Sequence, residues 1–500
     1  MKIGWGRREY SMNVPCNMNG QMYMRVCEGI LDPLYITAMA VRGEDLAIFV
    51  SIDIVAPQEE LTSLITEKVR KVHPEIPAEC LIYNATHTHA GMQMFDGNER
   101  TPDGFEVYPP AKTREHASDK GAEAVIEAYE SMKDGAVAFG YGYAVVAHSR
   151  RVLYYVDKGL KNPASAAPNG HGVMYGNTND PEFEGYEAGA DHFVNLLYTF
   201  DSEEKLTGMV INIPCPSQTS EHFVELTADY WADVRAEVAK EFGDNVYVLP
   251  QCAAAGDLSP RILHYKEAQV RRMALKYGMH YKLGKKAYED LPNDRMKALS
   301  ERKDIAERVI AAVKEVYGWA KKDIRHDAEV RHIRREVPVH KRLVSDEEAE
   351  WCRNNIAYLE ANLPDPKACT EEEYRREMSS FNSYKNRNLR AIHRNETDKL
   401  DPMTKAVVHT VRIGEVAFAT NRFELYMDYM HQIQARSPFI QTFVVQLSGE
   451  GPSGYLPTER GKENKGYSAS IFCNQVGPEG GRDLVEGTLE MLQELAEEKE

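Results

Sequence analysis

The segment Asn84-Ala85-Thr86-His87-Thr88-His89-Ala90-Gly91 sets two imidazoles one residue apart where an apolar run ends. If the strand continues through it, alternate side chains share a face and His87 and His89 project together. Two imidazoles on one side suit a metal ion or acid–base work, and the carboxyl end of a strand is where α/β crevices open. The pattern is short, and a hydrogen-bonded histidine pair closing a strand fits it too.

Four further segments place polar or unusual residues after strand-like runs. Asn212–Gln218, with His222 soon after, holds Cys215 between two prolines, as a metal ligand or thiolate nucleophile would be held. A free cysteine is also commonly a small buried hydrophobe. Gln251–Arg261 brings Asp257, Ser259 and Arg261 toward one crevice, or is a plain Asp-Leu-Ser-Pro turn. Glu424 stands where Phe418–Thr420 hands over to a helix, as a site carboxylate or as a residue answering the helix dipole. Gly449–Pro457 is a glycine-rich loop that offers Tyr455 to a ligand, or is a surface turn. Each signal is weak alone. Their recurrence at five strand ends is the stronger argument, because that edge is where an α/β site forms.

The elements that must position these residues are legible from periodicity. Leu46–Val55 is a short, nearly continuous apolar run of the kind buried on both sheet faces. Leu61, Leu64, Ile65, Val69 and Val72 follow at helical spacing, and Cys80–Ala85 makes a second strand, giving a βαβ unit. Strands are expected at Ala136–Val146, Phe193–Phe200, Leu206–Ile213 and Asn245–Leu249, with a helix near Val224–Phe242. Residues 262–400 are strongly charged and read as a helical insertion, with one strand at Ala328–Val339. Strand texture returns at Ala406–Ile413, Val416–Thr420 and Phe439–Leu447, and an amphipathic helix covers Leu484–Leu495. The fold class is α/β: a mixed sheet core with βαβ units and a charged helical insertion, closed by its last third into one unit over residues 1–500.

Sixty basic against 77 acidic side chains leave a formal charge of −17. This balance argues against a nucleic-acid partner and against anionic membrane surfaces. No apolar stretch reaches membrane-spanning length, and charge at Lys2, Arg7 and Arg8 argues against a secretory leader. Eight cysteines without a CxxC pair read as reduced thiols of a cytoplasmic protein.

These segments together resemble the N-terminal catalytic domain of the neutral/alkaline non-lysosomal ceramidase family. Gly29–Tyr35 followed by Ile52-Asp53 looks like the family's opening. Thr86–Gly91 matches its THTHSG motif with Ala90 for Ser, and Gly256–Pro260 matches its GDxSP segment. Gly454–Pro457 resembles its GYxxYL/GYLP stretch, and Val476–Gly481 with the terminal helix fits the end of the domain. The resemblance implies a zinc ion or another divalent metal that activates water to cleave an N-acyl amide, held by two His, a Glu and a Tyr. It makes His87 a ligand, puts His89 beside the site and Ser259 in the catalytic centre, and sets Arg150 against the substrate. The chain departs from that pattern. The family's second His falls at Cys215-Pro216, its Glu near Asn421 or Arg422 with Glu424 the nearest carboxylate, and its Tyr at Pro452. The family's C-terminal immunoglobulin-like domain has no counterpart in the sequence.

The expectation is a hydrolase of a small soluble substrate, with room left for a homo-oligomer. Its catalytic candidates are His87, His89, Ser259, Glu424, Arg150 and Tyr455. Its metal candidates are His87, His89, Cys215 and His222. Two rivals stand beside it. A glycoside hydrolase would use paired carboxylates drawn from Glu424, Glu450 and Asp257, and a non-catalytic binding protein would keep the scaffold without the metal.

Overall fold

The apolar run Leu46–Ile52 is a strand with every residue buried. The helix Glu59–Val72 follows, burying Leu61, Ile65 and Val69, and the strand Leu81–Ala85 returns parallel to the first. This βαβ unit recurs twice. Leu206–Ile213, the helix Tyr230–Phe242 and Tyr247–Cys252 form the second. Val416–Thr420, the helix Met427–Arg436 and Gln441–Val445 form the third.

The computed structural model describes residues 1–96, 101–102, 104–159, 170–278 and 294–497. The first two units stand at opposite edges of an eight-stranded mixed sheet. Between them run the antiparallel strands Phe193–Asp201, Lys133–Tyr143, Lys2–Glu9 and Tyr35–Arg42. The third unit belongs to a separate four-stranded sheet with Val330–His340 and Met403–Ile413.

The two sheets pack face to face. Phe49 of the larger meets Phe418 of the smaller with ring centres 4.9 Å apart, and Phe418 stacks on Phe443. Trp5, Val41 and Leu249 on one side and Val411, Ile413 and Val445 on the other belong to the same apolar layer. Helices cover the outer faces: Glu59–Val72 and Pro110–Glu130 on the larger sheet, Pro478–Ala496 on the smaller. Gly6 lets a helix lie directly on its strand, since a Cβ there would stand 2.1 Å from the Ala124 carbonyl oxygen. The architecture is α/β in four layers, helix, sheet, sheet and helix. Periodicity anticipates the strands but one sheet rather than two, because alternation reports that a side chain is buried and not which sheet it serves.

In the charged stretch 262–400 the described helices are Lys266–Tyr277, Asp294–Ala320, Asp346–Ala361 and Glu371–Thr397. Its residues 279–293 lie outside the described set. Asp294–Ala320 sends Ile305, Val309, Val313 and Val316 into the main core, whereas Glu371–Thr397 buries a polar face that includes Ser379, Ser383, Arg387 and Asn388. Among the described residues no helix is long and apolar enough to cross a membrane.

Candidate functional site

All three βαβ units end at one edge, where their loops are sewn together by backbone hydrogen bonds. Ala85 N donates to the Leu447 carbonyl at 3.1 Å, Gln446 N to Cys252 at 3.0 Å and Gly256 N to Leu425 at 2.8 Å. Ser217 Oγ adds the remaining loop by donating to the Thr86 carbonyl at 2.7 Å. Gly256 has no room for a side chain, since a Cβ would meet the Glu424 carbonyl oxygen at 2.3 Å.

The strand does not continue through the histidines. It ends at Ala85, and His87 adopts φ = 63°. That left-handed conformation costs a non-glycine residue about 1–3 kcal/mol and is found where surrounding structure imposes it, often at active sites. The turn, not the pleat, therefore brings the two rings together. Their centres lie 4.8 Å apart with planes at 82°, and their Nε2 atoms are 3.4 Å apart. His87 Nδ1 donates to the Val55 carbonyl at 2.6 Å, which directs Nε2 at Glu424 Oε2, 3.5 Å away.

Glu424 opens a two-residue strand paired with Tyr455-Leu456, ahead of the helix that begins at Met427. Its place is thus set by a β pair rather than by a helix N-terminus. Arg150, wholly buried, lies 3.7 Å from the Glu424 carboxylate. Its guanidinium donates to the Gly256 carbonyl at 2.8 Å, to Tyr175 Oη at 3.2 Å and to Tyr455 Oη at 3.3 Å. Burial pushes the Glu424 carboxyl up, but His87, Arg150 and Tyr455 together outweigh it and hold it below the ordinary value. Burial raises the Tyr455 phenol well above its ordinary value, so it stays protonated and able to donate.

His89 Nε2 accepts from the Gln218 amide at 2.7 Å, and its Nδ1 faces Glu221 at 3.4 Å. Burial lowers the His89 pKa despite that carboxylate, so the ring is neutral near pH 7. Glu221, ion-paired with Arg261, is held well below the ordinary range by His89 and Arg261 against the cost of burial. Gln218, Glu221 and Tyr175 are site residues that the sequence reading did not single out. The available signal was the position of Gln218 and Glu221 just past a strand end. For Tyr175 there was none, because it reaches the site from a loop.

Other candidates lie elsewhere. Cys215 is fully buried with its thiol against the Val146 carbonyl at 3.3 Å, and burial raises its pKa well above the ordinary value. His222 is largely exposed and pairs with the Tyr23 hydroxyl at 3.1 Å. Ser259 accepts from Arg261 N at 3.2 Å and pairs along the strand with His148, next to the residues that carry Arg150. Asp257 is buried, accepts from Met427 N at 3.0 Å and is pushed up to about 6 by burial. Glu450 pairs with Arg334 at 3.3 Å and lines a separate cavity of about 920 Å³ with His332 and His409.

Among the described residues no group of three or more His, Cys, Asp or Glu side chains is placed to hold a metal ion. His87, His89, Cys215 and His222 are not assembled into one cage. A smaller donor set does face one space. His87 Nε2 and the ionised Glu424 carboxylate, 3.5 Å apart, need a positive charge between them, supplied by a proton on the ring or by a bound cation. The Tyr455 phenol stands beside the same carboxylate and helps hold it ionised. His87, Glu424 and Tyr455 fit a divalent cation through one nitrogen, one carboxylate and one phenol.

No family model matches the chain, and no curated protein does. Solved structures do. A crystal structure of neutral ceramidase from Pseudomonas aeruginosa superposes with a TM-score of 0.65 at 14% identity, covering 99% of this chain and 74% of that one. A ceramidase complexed with C2 gives 0.63 at 14% identity, covering 99% of this chain and 75% of that one. The chain has the neutral ceramidase fold.

Proposed function

We propose that the protein hydrolyses an N-acyl amide at the crevice where the strand ends meet. The observation that carries this reading is His87 Nε2 facing Glu424 at 3.5 Å, with the ring fixed by Val55 and the carboxylate by Arg150. A divalent cation held by His87, Glu424 and Tyr455, zinc by the nature of the donors, would supply Lewis acidity to the scissile carbonyl and lower the pKa of water. The chain's own groups do the rest. Arg150 positions Glu424 and Tyr455 without reaching solvent. His89 takes up a proton at Nε2 and returns it to the leaving amine, and Glu221 behind the ring stabilises the charged state. In the neutral ring Gln218 donates to Nε2, and its own oxygen accepts from Arg150 and Tyr175, which fixes the amide's orientation.

Glycoside cleavage fits less well. Glu424 is held below the ordinary carboxyl range, Glu450 lines a separate cavity, and Asp257, though pushed up to about 6, is buried and bonded to Met427 N. A reducing compartment is part of the proposal and is supported by eight cysteines, none of them paired.

The test is metal analysis of the purified protein together with turnover of amide, ester and glycoside panels. The expected result is about one metal per chain, lost in His87→Ala together with amide cleavage. Full amide turnover in metal-free His87→Ala would sink the metal step. Glycoside turnover without amide turnover would replace the reaction class, and binding without turnover of any compound would leave a binding protein.

A further inference from the structure

We infer that Cys16 and Cys27 are oxidised by a small peroxide to a reversible disulfide that shuts the loop 17–26 over His89 and Glu221. The two cysteines face each other across the base of that loop. Asn17 and Val26 form an antiparallel bridge, and beside it Cys27 N donates to the Cys16 carbonyl at 2.9 Å. Residues opposed in this way have Cα atoms about 5.5 Å apart, the separation a disulfide spans without backbone movement. The neighbouring Cys16 thiol lowers that of Cys27 to about 7, and Cys27 in turn raises that of Cys16. Near neutral pH one thiol is thus a nucleophile and its neighbour a protonated partner able to resolve the product. Cys27 keeps 5% exposure, within reach of a water-sized oxidant, whereas Cys215 has none.

The loop between the two cysteines is a wall of the site. A Cβ at Gly20 would stand 2.6 Å from the His89 Cβ, so the backbone lies directly on that residue. Gln21 Nε2 donates to the Glu221 carboxylate at 3.1 Å, and Arg25 donates to the His89 carbonyl. Met22 lines a cavity of about 320 Å³ together with Glu424 and Tyr455. Beneath this cover the His89 and Glu221 side chains are 11% and 9% exposed. On the amide-hydrolase reading a substrate has to meet His89, so part of the loop must give way. A cross-link at its base opposes that movement.

The chemistry balances with the peroxide as oxidant. The Cys27 thiolate attacks one peroxide oxygen, forming an S–O bond while the O–O bond breaks and the second oxygen leaves as water. The Cys16 sulfur then attacks the sulfenic sulfur of Cys27. The S–S bond forms, the S–O bond breaks, and the oxygen departs as a second water with the Cys16 proton. Two thiols are oxidised and one peroxide is reduced to two waters.

The experiment treats wild type and Cys27→Ser with hydrogen peroxide, then with dithiothreitol. Peptide mass spectrometry should find Cys16 joined to Cys27 in wild type, with Cys215 still a thiol, and dithiothreitol should restore both thiols. Closing a loop of about a dozen residues should raise Tm by about 3 °C. Oxidation should lower kcat/KM for amide cleavage by at least about 10-fold and slow tryptic cleavage after Arg25 to a similar degree. Cys27→Ser should match reduced wild type in turnover and show none of these responses. Thiols that stay free after peroxide, or a cross-link that leaves turnover or cleavage after Arg25 unchanged, overturns the inference. An equal loss of turnover in Cys27→Ser overturns it as well. If the reduced protein cleaves no amide, the hydrolase reading fails separately. Cleavage after Arg25 then decides whether the disulfide closes the loop: slower cleavage supports the inference and an unchanged rate refutes it.

Discussion

Replacing Glu424 by Gln keeps its shape and removes the charge that faces His87 and Arg150. Arg150 is fully buried and the Glu424 side chain only 17% exposed, so solvent screens their 3.7 Å contact little. At an effective dielectric of about 20 that separation corresponds to roughly 4 kcal/mol. Removing one partner of a buried pair typically costs about 3–5 kcal/mol, because the remaining charge is stranded. At about 2.1 cal/mol/K per residue, a chain of 500 residues unfolds with an entropy near 1 kcal/mol/K. Glu424→Gln should therefore lower Tm by about 3–5 °C and reduce kcat by at least ~100-fold. A double-mutant cycle with Arg150→Met separates the two effects. The coupling term should recover about 2–4 kcal/mol of stability while activity stays lost. A coupling below about 0.5 kcal/mol, or a Glu424→Gln protein with wild-type Tm and turnover, would refute the claim that a buried charge network organises this site.

Three other outcomes follow from burial and charge. Iodoacetamide should leave Cys215 unmodified in the folded protein, read by peptide mass spectrometry, because the thiol is fully buried and its pKa is raised by burial. The stacked pair His332 and His409 is pushed down to about 4 and about 3, chiefly by burial. The unfolded chain then binds protons that the folded chain does not, so the pair's stabilisation falls as pH drops from about 6.5 toward 4; His409→Gln should flatten that limb of a Tm-against-pH curve. Asp257 has the opposite sign. Its folded pKa of about 6 exceeds the ordinary value, so its contribution is present below about pH 4 and is lost as pH rises through 6. Asp257→Asn should remove that loss, and an unchanged difference in Tm between pH 4 and pH 7 would count against the burial argument.

Much of the scaffold was legible because burial leaves a period. The apolar run Leu46–Ile52, the 3- and 4-residue spacing of Leu61, Ile65 and Val69, and the strand Leu81–Ala85 form one βαβ unit, as their pattern requires. Lys2–Glu9 and Tyr35–Arg42, at the centre of the larger sheet, were not singled out, although the second is a nearly continuous apolar run. Arg7 and Arg8 break the apolar pattern of the first; the Arg7 guanidinium lies over the rings of Tyr35 and Tyr247, and Arg8 pairs with Glu127 from a helix about 120 residues away. The split into two sheets was hidden for a similar reason. Phe418 reads as buried from its neighbours in sequence, but only packing shows that Phe49 covers it.

The sequence by itself determined which residue types stand at the five strand ends, His87 and His89, Cys215, Asp257 and Ser259, Glu424, and Tyr455. Tertiary structure decided which of them meet. His87 turns toward Glu424 because its backbone is left-handed and its Nδ1 is held by Val55, neither of which periodicity encodes. Tyr455 reaches Glu424 through a two-residue parallel pairing between distant parts of the chain, and Arg150 joins them from between the short strands His148–Ser149 and Arg151–Tyr154. Cys215, equally conspicuous in sequence, is turned into the core. Side-chain chemistry is a property of the residue, whereas the distance between two side chains is set by long-range pairing and packing. That is why His87, His89, Glu424 and Tyr455 could be picked out from the chain, whereas Gln218, Glu221 and Tyr175 and the distances among all of them could not.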